Sequence, residues 1–244
     1  MSRIVYGKRP LEELLANRAD SVQRIYLEAT KRSALGDFAR QAQALDLPVH
    51  WVDQPELEKL CGTPKHQGLA AEVRDFAYTS VKDFLQRKFD HPRVVVVLDG
   101  VTDPQNFGSC LRAAGAFGAD LAVTTKNRGC PVTPVVVRVS AGATETVAIA
   151  RETNLVQALE RLKEAGFWVY GLDGEGDRSL SAIDLSGDVV LILGSEGEGM
   201  HRLVREHCDA VARIPADGPI ESLNVAQACT IGLYEIFRQR LRGK

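Results

Sequence analysis

The residue pattern predicts an α/β protein in two parts, and three observations carry that prediction. Two unbroken apolar runs, Val94-Val95-Val96-Val97-Leu98 and Val189-Val190-Leu191-Ile192-Leu193, have the length and continuity of strands buried on both faces of a parallel sheet. Helical periodicities alternate with strand-like runs along residues 1–76, the pattern of a small α/β unit. Between the two, residues 77–92 lose this patterning: Phe84 and Leu85 stand isolated among Lys82, Asp83, Gln86, Arg87 and Lys88, as in a polar helix or tether. The expected organisation is a first domain over 1–76, a linker over 77–92 and a second domain over 93–244.

In the first part, Leu11, Leu14 and Leu15 recur at helical spacing, with Pro10 suited to a first turn. Val22 to Glu28 alternates as a strand, and Phe38, Ala42 and Leu45 share a helix face. A short strand is expected over Pro48 to Val52, a helix through Leu60 capped by Asp53 with Glu56 three residues later, and a strand over Gly68 to Val73. In the second part, the run ending at Asp99 leads through Asp103-Pro104-Gln105-Asn106-Phe107-Gly108 into a helix. Its small residues Ala113, Ala114, Gly115 and Ala116 imply close packing, and Gly118 is a natural stop. A strand over Leu121 to Val123 follows, then a helix opened by Thr133 and Pro134, an amphipathic helix over Asn154 to Ala165 and a strand over Phe167 to Leu172. A terminal helix runs from about Val225 to Arg240, its first turn set by Ser222 and Asn224.

Composition excludes several classes. Hydrophobic residues make up 45% and charged residues 25% of the 244, ordinary for a globular chain. No apolar run is long enough to span a membrane, and Met1 to Gly7 has no signal-peptide pattern, so the cytoplasm is the expected location. Five widely spaced cysteines, Cys61, Cys110, Cys130, Cys208 and Cys229, fit reduced thiols and lack zinc-ligand spacing. His201, His207 and Cys208 lie in a charged helical segment and read as surface residues; no metal is expected. The net charge of −2 argues against a protein that coats nucleic acid, yet residues 1–40 hold eight Lys or Arg against five acids, and residues 126–151 hold four (Lys126, Arg128, Arg138, Arg151) against one. Two local basic zones on a near-neutral chain suit a specific anionic partner.

The chemistry concentrates after the second apolar run. Gly194-Ser195-Glu196-Gly197-Glu198-Gly199 places a glycine turn at a strand's C-terminal end, where open α/β sheets bind ligands. Its order is G-x-x-G-x-G rather than the dinucleotide G-x-G-x-x-G, and Glu196 and Glu198 would repel a pyrophosphate, so the loop suits a cofactor without phosphates. Gly171 to Asp177 lacks the glycine a calcium loop needs and reads as a surface turn. Taken singly, Asn106, Ser222 and Asn224 read as helix caps, Arg112 as a surface charge and Glu196 as a turn residue; their joint occurrence with the glycine loop is what favours a site.

Three motifs, Asp103-Pro104-Gln105-Asn106-Phe107-Gly108 with Arg112, Gly194-Ser195-Glu196-Gly197-Glu198-Gly199 and Ser222-Leu223-Asn224-Val225, occur in the order found in the SpoU (TrmH-like) branch of the SPOUT RNA methyltransferases, which the chain resembles over nearly the whole second domain. Lys126-Asn127-Arg128, Thr133-Pro134-Val135-Val136 and Val139-Ser140-Ala141-Gly142-Ala143 are similar more narrowly to the bacterial RlmB group, which methylates a guanosine ribose in the peptidyl-transferase region of 23S ribosomal RNA. Lys65-His66-Gln67-Gly68 is similar to that group's L30e-like RNA-binding domain. The resemblance implies a SPOUT domain with a deep trefoil knot, a homodimer through the C-terminal domain, and S-adenosyl-L-methionine (SAM) held at Gly194, Ile214 and Leu223. It further implies that Arg112 activates the ribose hydroxyl, that Glu196 orients Arg112, and that Asn106, Ser222 and Asn224 bind ribose, arginine or cofactor. The substrate implied is 23S rRNA or a pre-ribosomal large subunit. Rival readings are a tRNA 2′-O-methyltransferase of the same family and a non-catalytic ribosome-assembly factor. One departure stands out: the group usually continues Ser-Leu-Asn-Val with serine and valine, where this chain has Ala226 and Gln227.

Overall fold

The structure, a computed structural model, describes residues 2–74, 76–219 and 222–241. Met1, Asp75, Ile220 and Glu221 lie outside the described residues, as do the side chains of Arg3, Arg9, Glu13, Arg18 and Glu145 from the two basic zones. Two compact units meet in sequence between Ala77 and Tyr78.

The first unit runs β1 (Ser2–Tyr6), α1 (Lys8–Arg18), β2 (Val22–Glu28), α2 (Arg32–Ala44), β3 (Val49–Val52), α3 (Gln54–Cys61) and β4 (Leu69–Arg74). Its sheet has the order β1-β4-β2-β3, antiparallel except for the β2–β3 pair. Leu11, Leu14, Ile25, Leu27, Phe38, Ala42 and Leu69 form one core. Sequence reading missed β1 because its five residues are mixed in polarity and too few to show a period. It placed Leu45 on the buried face of α2, yet Leu45 is 43% exposed. Asp46 at φ +55° lets the Leu47 N–H return to the Ala42 carbonyl at 3.1 Å, a Schellman closure that ends the helix at Ala44 and turns Leu45 outward. Asp53 caps α3 as expected, accepting from the Glu56 N–H at 2.9 Å.

The second unit runs α4 (Val81–Leu85), β5 (Val94–Leu98), α5 (Pro104–Ala116), β6 (Leu121–Thr125), α6 (Pro134–Val139), α7 (Ala143–Thr146), β7 (Ala148–Glu152), α8 (Leu155–Glu164), β8 (Trp168–Leu172), β9 (Arg178–Ser179), β10 (Val189–Leu193), α9 (Arg202–Glu206), β11 (Ala210–Arg213) and α10 (Val225–Leu241). Seven strands form one parallel sheet in the order β7-β6-β5-β10-β8-β11-β9. Every residue of β5 and of β10 is buried, which accounts for their uninterrupted apolar character.

The segment expected to be a polar helix or tether between the domains does hold a short helix, but it is part of this unit. Ser80 caps α4, and Val81 and Phe84 are fully buried in a core shared with Val95, Val97 and Leu159. The Val81 N–H donates to Glu152 Oε1 at 2.9 Å. A single helical turn docks on two apolar residues, too short a signal to separate from polar surroundings in sequence.

Helix α5 is held by what its glycines lack. A Cβ at Gly108 would lie 2.7 Å from Val139 Cβ, and one at Gly115 would lie 3.0 Å from Ala143 Cβ, so α5 approaches the α6–α7 segment more closely than any larger residue permits. Its end is the expected glycine stop: Gly118 at φ +71° lets the Ala119 N–H reach the Ala114 carbonyl at 2.8 Å.

Candidate active site

The sheet changes direction at its centre. From β5 the chain proceeds to β6 on one side, whereas β10 is flanked by β8 on the other. Leu98 and Leu193, the last residues of β5 and β10, are paired in register, so the loops that leave them diverge and open a crevice at the strands' C-terminal ends. A cleft of about 210 Å³ occupies it, lined among others by Gly100, Val101, Asp103, Asn106, Ser195 and Glu196.

The glycine loop is a tight return of the chain on itself. Ser195 and Gly199 exchange two backbone hydrogen bonds of 3.0 Å, and Gly197 and Gly199 adopt φ of +90° and +66°, the left-handed region in which glycine carries no Cβ penalty. At Gly194 the reason is different. A Cβ there would sit 2.0 Å from the Gly199 carbonyl carbon and 2.2 Å from the Met200 nitrogen, so the returning backbone lies directly on this residue. The loop lifts Glu196 into the cleft.

Three side chains meet there from segments far apart in sequence. Asp103 caps α5 through the Asn106 N–H at 2.8 Å, which fixes Asn106 on the first turn. Asn106 Nδ2 donates to Glu196 Oε1 at 3.0 Å, and Asn224 Nδ2 donates to Asn106 Oδ1 at 3.0 Å and also to Glu196 Oε1. Asn224 is itself the cap of α10: its Oδ1 accepts the Ala226 N–H at 2.8 Å and its carbonyl the Ala228 N–H at 2.9 Å. The Asn224 N–H donates in turn to Gln227 Oε1 at 3.2 Å, which completes a capping box. Gln227, one of the two residues that depart from the related group, therefore has a local structural role. Both Asn224 amide hydrogens are used, so the cluster offers the cleft one remaining Asn106 N–H and Glu196 Oε2. A donor and an anionic acceptor side by side can grip a hydroxyl group.

Other expectations fare differently. Glu196 forms no ion pair with Arg112; its hydrogen bonds go to the two asparagines. Arg112 lies six residues beyond Asn106 on α5, which turns it some 240° around the helix; it is exposed and makes no hydrogen bond or ion pair among the described residues. Ser222 precedes α10 rather than opening it, and is exposed and unbonded among the described residues. Ile214 follows β11 half-buried, and Leu223 is 40% exposed just ahead of α10, so both leave apolar surface free, and Gly194 supplies bare backbone, as an uncharged adenosyl group would need. His201, read as a surface residue, instead donates its backbone N–H and places Nδ1 against buried Asp99 at 2.8 and 2.9 Å. The turn after Gly171 is also more than surface: a Cβ at Gly176 would meet the Ala212 carbonyl carbon at 2.4 Å. Asp99 could have been suspected from its place at the end of an all-apolar strand; nothing in the sequence pointed to its partner.

A second cavity of about 250 Å³ lies at the opposite ends of the strands, lined by Arg87, Phe89, His91, Arg93 and Asp188. Its charges are largely spent on one another. Arg93 pairs with Asp188 and lies over the Phe167 ring, and His91 bridges Asp90 and Asp120 at 3.0 and 2.9 Å. Among the described residues no cluster of His, Cys, Asp or Glu could hold a metal ion, and no helix is long and apolar enough to cross a membrane.

A parallel sheet with a crevice at its switch point, entered by an amide–carboxylate cluster and a glycine loop, is the architecture of a SpoU methylase, and the chain belongs to that family. The SpoU rRNA methylase model matches residues 93–234, and the model for RNA 2′-O-ribose methyltransferase substrate binding matches residues 4–79. Among curated relatives, the 23S rRNA (guanosine-2′-O-)-methyltransferase RlmB of Ralstonia nicotianae is 38% identical over 98% of this chain and 96% of its own. That of Coxiella burnetii is 38% identical over 98% of each. The crystal structure of the SpoU methyltransferase AviRb from Streptomyces viridochromogenes in complex with AdoMet superposes with a TM-score of 0.70 at 26% identity, covering all of this chain and 92% of that one.

Proposed function

We propose that this protein transfers a methyl group to the ribose 2′-oxygen of a guanosine in the peptidyl-transferase region of 23S rRNA. The observation that carries the reading is the convergence of Asn106, Glu196 and Asn224, separated by 90 and 28 residues, at one crevice. Full-length identity to enzymes bearing that activity selects the substrate. SAM, when bound, supplies an electrophilic methyl group; Gly194, Ile214 and Leu223 would hold it. The protein's contribution is position and charge. Glu196 Oε2 and the free Asn106 N–H orient the ribose hydroxyl. Arg112, whose guanidinium is not neutralised by Glu196, stabilises the developing alkoxide as the hydroxyl proton passes to water. Ser222, exposed two residues before Asn224, would be a further ribose or cofactor contact.

The first unit serves as the L30e-like RNA-binding domain, on free rRNA or a pre-ribosomal particle in the cytoplasm. The protein acts as a homodimer, since α10 exposes Ile231, Tyr234 and Phe237, with the ring of Phe117, just past α5, 5.8 and 6.0 Å from the last two. Such a row of aromatic surface belongs in an interface. The second domain carries the deep trefoil knot expected of its family, and α10 returns onto β10, where a Cβ at Gly232 would lie 2.7 Å from Leu191 Cδ2.

Incubation with radiolabelled SAM and large-subunit RNA, followed by nucleotide mapping, tests the proposal. Label on one guanosine ribose of 23S rRNA is expected; label confined to transfer RNA, or none, overturns it.

A further inference from the structure

The cleft has a second charged feature on its β6 side, and nothing in the reaction described above uses it. Asp99 stands directly after β5, only 2% exposed. Its N–H donates to the Leu193 carbonyl at 2.8 Å, and its carboxylate takes both the His201 backbone N–H at 2.8 Å and His201 Nδ1 at 2.9 Å. A carboxylate accepts only, so the ring proton sits on Nδ1. On the other side of the imidazole, Arg128 Nη1 lies 2.9 Å from Nε2. A guanidinium donates only, so Nε2 is the acceptor and the ring is neutral. The order is thus buried carboxylate, neutral imidazole, guanidinium.

The consequence is electrostatic. A carboxylate holding Arg128 would cancel its charge, whereas a neutral histidine fixes one N–H and leaves the full positive charge, with the remaining donors, facing outward. Arg128 is exposed and has no other partner among the described residues. Its loop is rigidly seated: the Cys130 N–H donates to the cleft residue Val101 at 3.0 Å, Arg151 Nη2 donates to the Lys126 carbonyl at 2.8 Å, and a Cβ at Gly129 would meet Thr124 Oγ1 at 2.1 Å. The imidazole lies against the cleft wall, where a Cβ at Gly100 would be 3.4 Å from His201 Cε1. Arg128 is therefore pre-positioned at the rim of the site.

From this geometry we infer that Arg128 binds a backbone phosphate of the RNA next to the target nucleotide, with His201 as the positioning residue that presents it from Asp99. The inference rests on the RNA-methyltransferase reading. The cofactor's carboxylate is a poorer match for the same cation, because Ile214 and Leu223 follow β11 and precede α10, and β11 lies beyond β10 and β8 from the β6 loop that carries Arg128.

The test uses the full chain, SAM and transcribed 23S rRNA. Arg128→Gln is expected to raise KM for RNA roughly tenfold with kcat retained. It should also flatten the plot of log RNA affinity against log salt by about 0.7, the contribution of one single-stranded phosphate. Arg128→Lys should keep the slope. His201→Ala should reproduce part of the KM increase and add nothing to Arg128→Gln. An unchanged salt slope in Arg128→Gln overturns the inference, as does a loss of SAM affinity by calorimetry in place of RNA affinity. Equilibrium RNA binding reads the slope whether or not the wild-type protein methylates this RNA, so failure of the functional reading is separately visible.

Discussion

Glu196 accepts two amide groups on one oxygen, and this makes the site sensitive to the charge of Asn224. In Asn224→Asp both donors vanish and a second carboxylate faces Glu196, a like-charge contact at hydrogen-bond range. Loss of methyl transfer is expected, with the thermal midpoint staying above that of Asn224→Ala, because an aspartate oxygen still accepts the Ala226 N–H at the start of α10 and alanine leaves it bare; a melting curve and a transfer assay check it. Arg112→Ala should abolish turnover and leave SAM affinity within about threefold, because an electrostatic role in the reaction leaves ground-state cofactor binding nearly untouched. Retention of full turnover would remove Arg112 from the mechanism. Away from the site, His91 is held between two carboxylates, and its hydrogen bonds to Asp120 and then Asp90 raise its pKa above the ordinary 6.5. Because the folded value is the higher one, the stabilisation is complete below the unfolded pKa and disappears as pH rises through the folded one. Wild-type protein should lose thermal midpoint from about pH 6 to about pH 8 relative to His91→Gln, whose profile should be flatter over that window. These partnerships were invisible in sequence. Asn106, Glu196 and Asn224 could be picked out by type and motif, but that Glu196 serves the asparagines and not Arg112 depends on where the glycine loop and the start of α10 fall against α5, which only coordinates resolve.

The elements that shape the site are set by close approach. Helix α5 reaches α6 through Gly108, so Gly108→Ala places a methyl group where Val139 already stands. Overpacking of that kind costs about 1–3 kcal/mol, measurable by urea denaturation. Gly194→Ala is more severe, because its obstacle is the backbone of Gly199 and Met200, which cannot rotate away. The loop must open, and loss of SAM binding by calorimetry is expected. Many strands and helices were legible because each carries a clear signal: five buried apolar residues in β5 and in β10, alternation in β2, a capping residue before α3, α6 and α8. Two elements lacked one. β1 mixes polarities over its five residues, and α4 docks on only two buried apolar side chains, Val81 and Phe84, so neither shows a pattern that local sequence could separate from its surroundings.

At the scale of the whole molecule, each unit has its own core, that of the first built on Leu11, Ile25, Leu27 and Phe38. Removal of residues 1–77 should leave a cooperatively folding protein that still binds SAM but has lost about tenfold or more in kcat/KM for rRNA. Undiminished methylation by the truncated chain would rule out the first unit as the RNA-binding part. The residues alone determined the two-part α/β organisation, the sheet's central strands and the kinds of side chain at the site, since burial patterns and turn residues are local properties that a chain carries in its order. Tertiary structure decided which groups touch: the switch between β5 and β10 that opens the crevice, the docking of α4 on the second unit, and the line from Asp99 through His201 to Arg128. Those contacts join residues tens of positions apart or more, and their geometry follows from how the strands are ordered in the sheet, which local patterning does not encode.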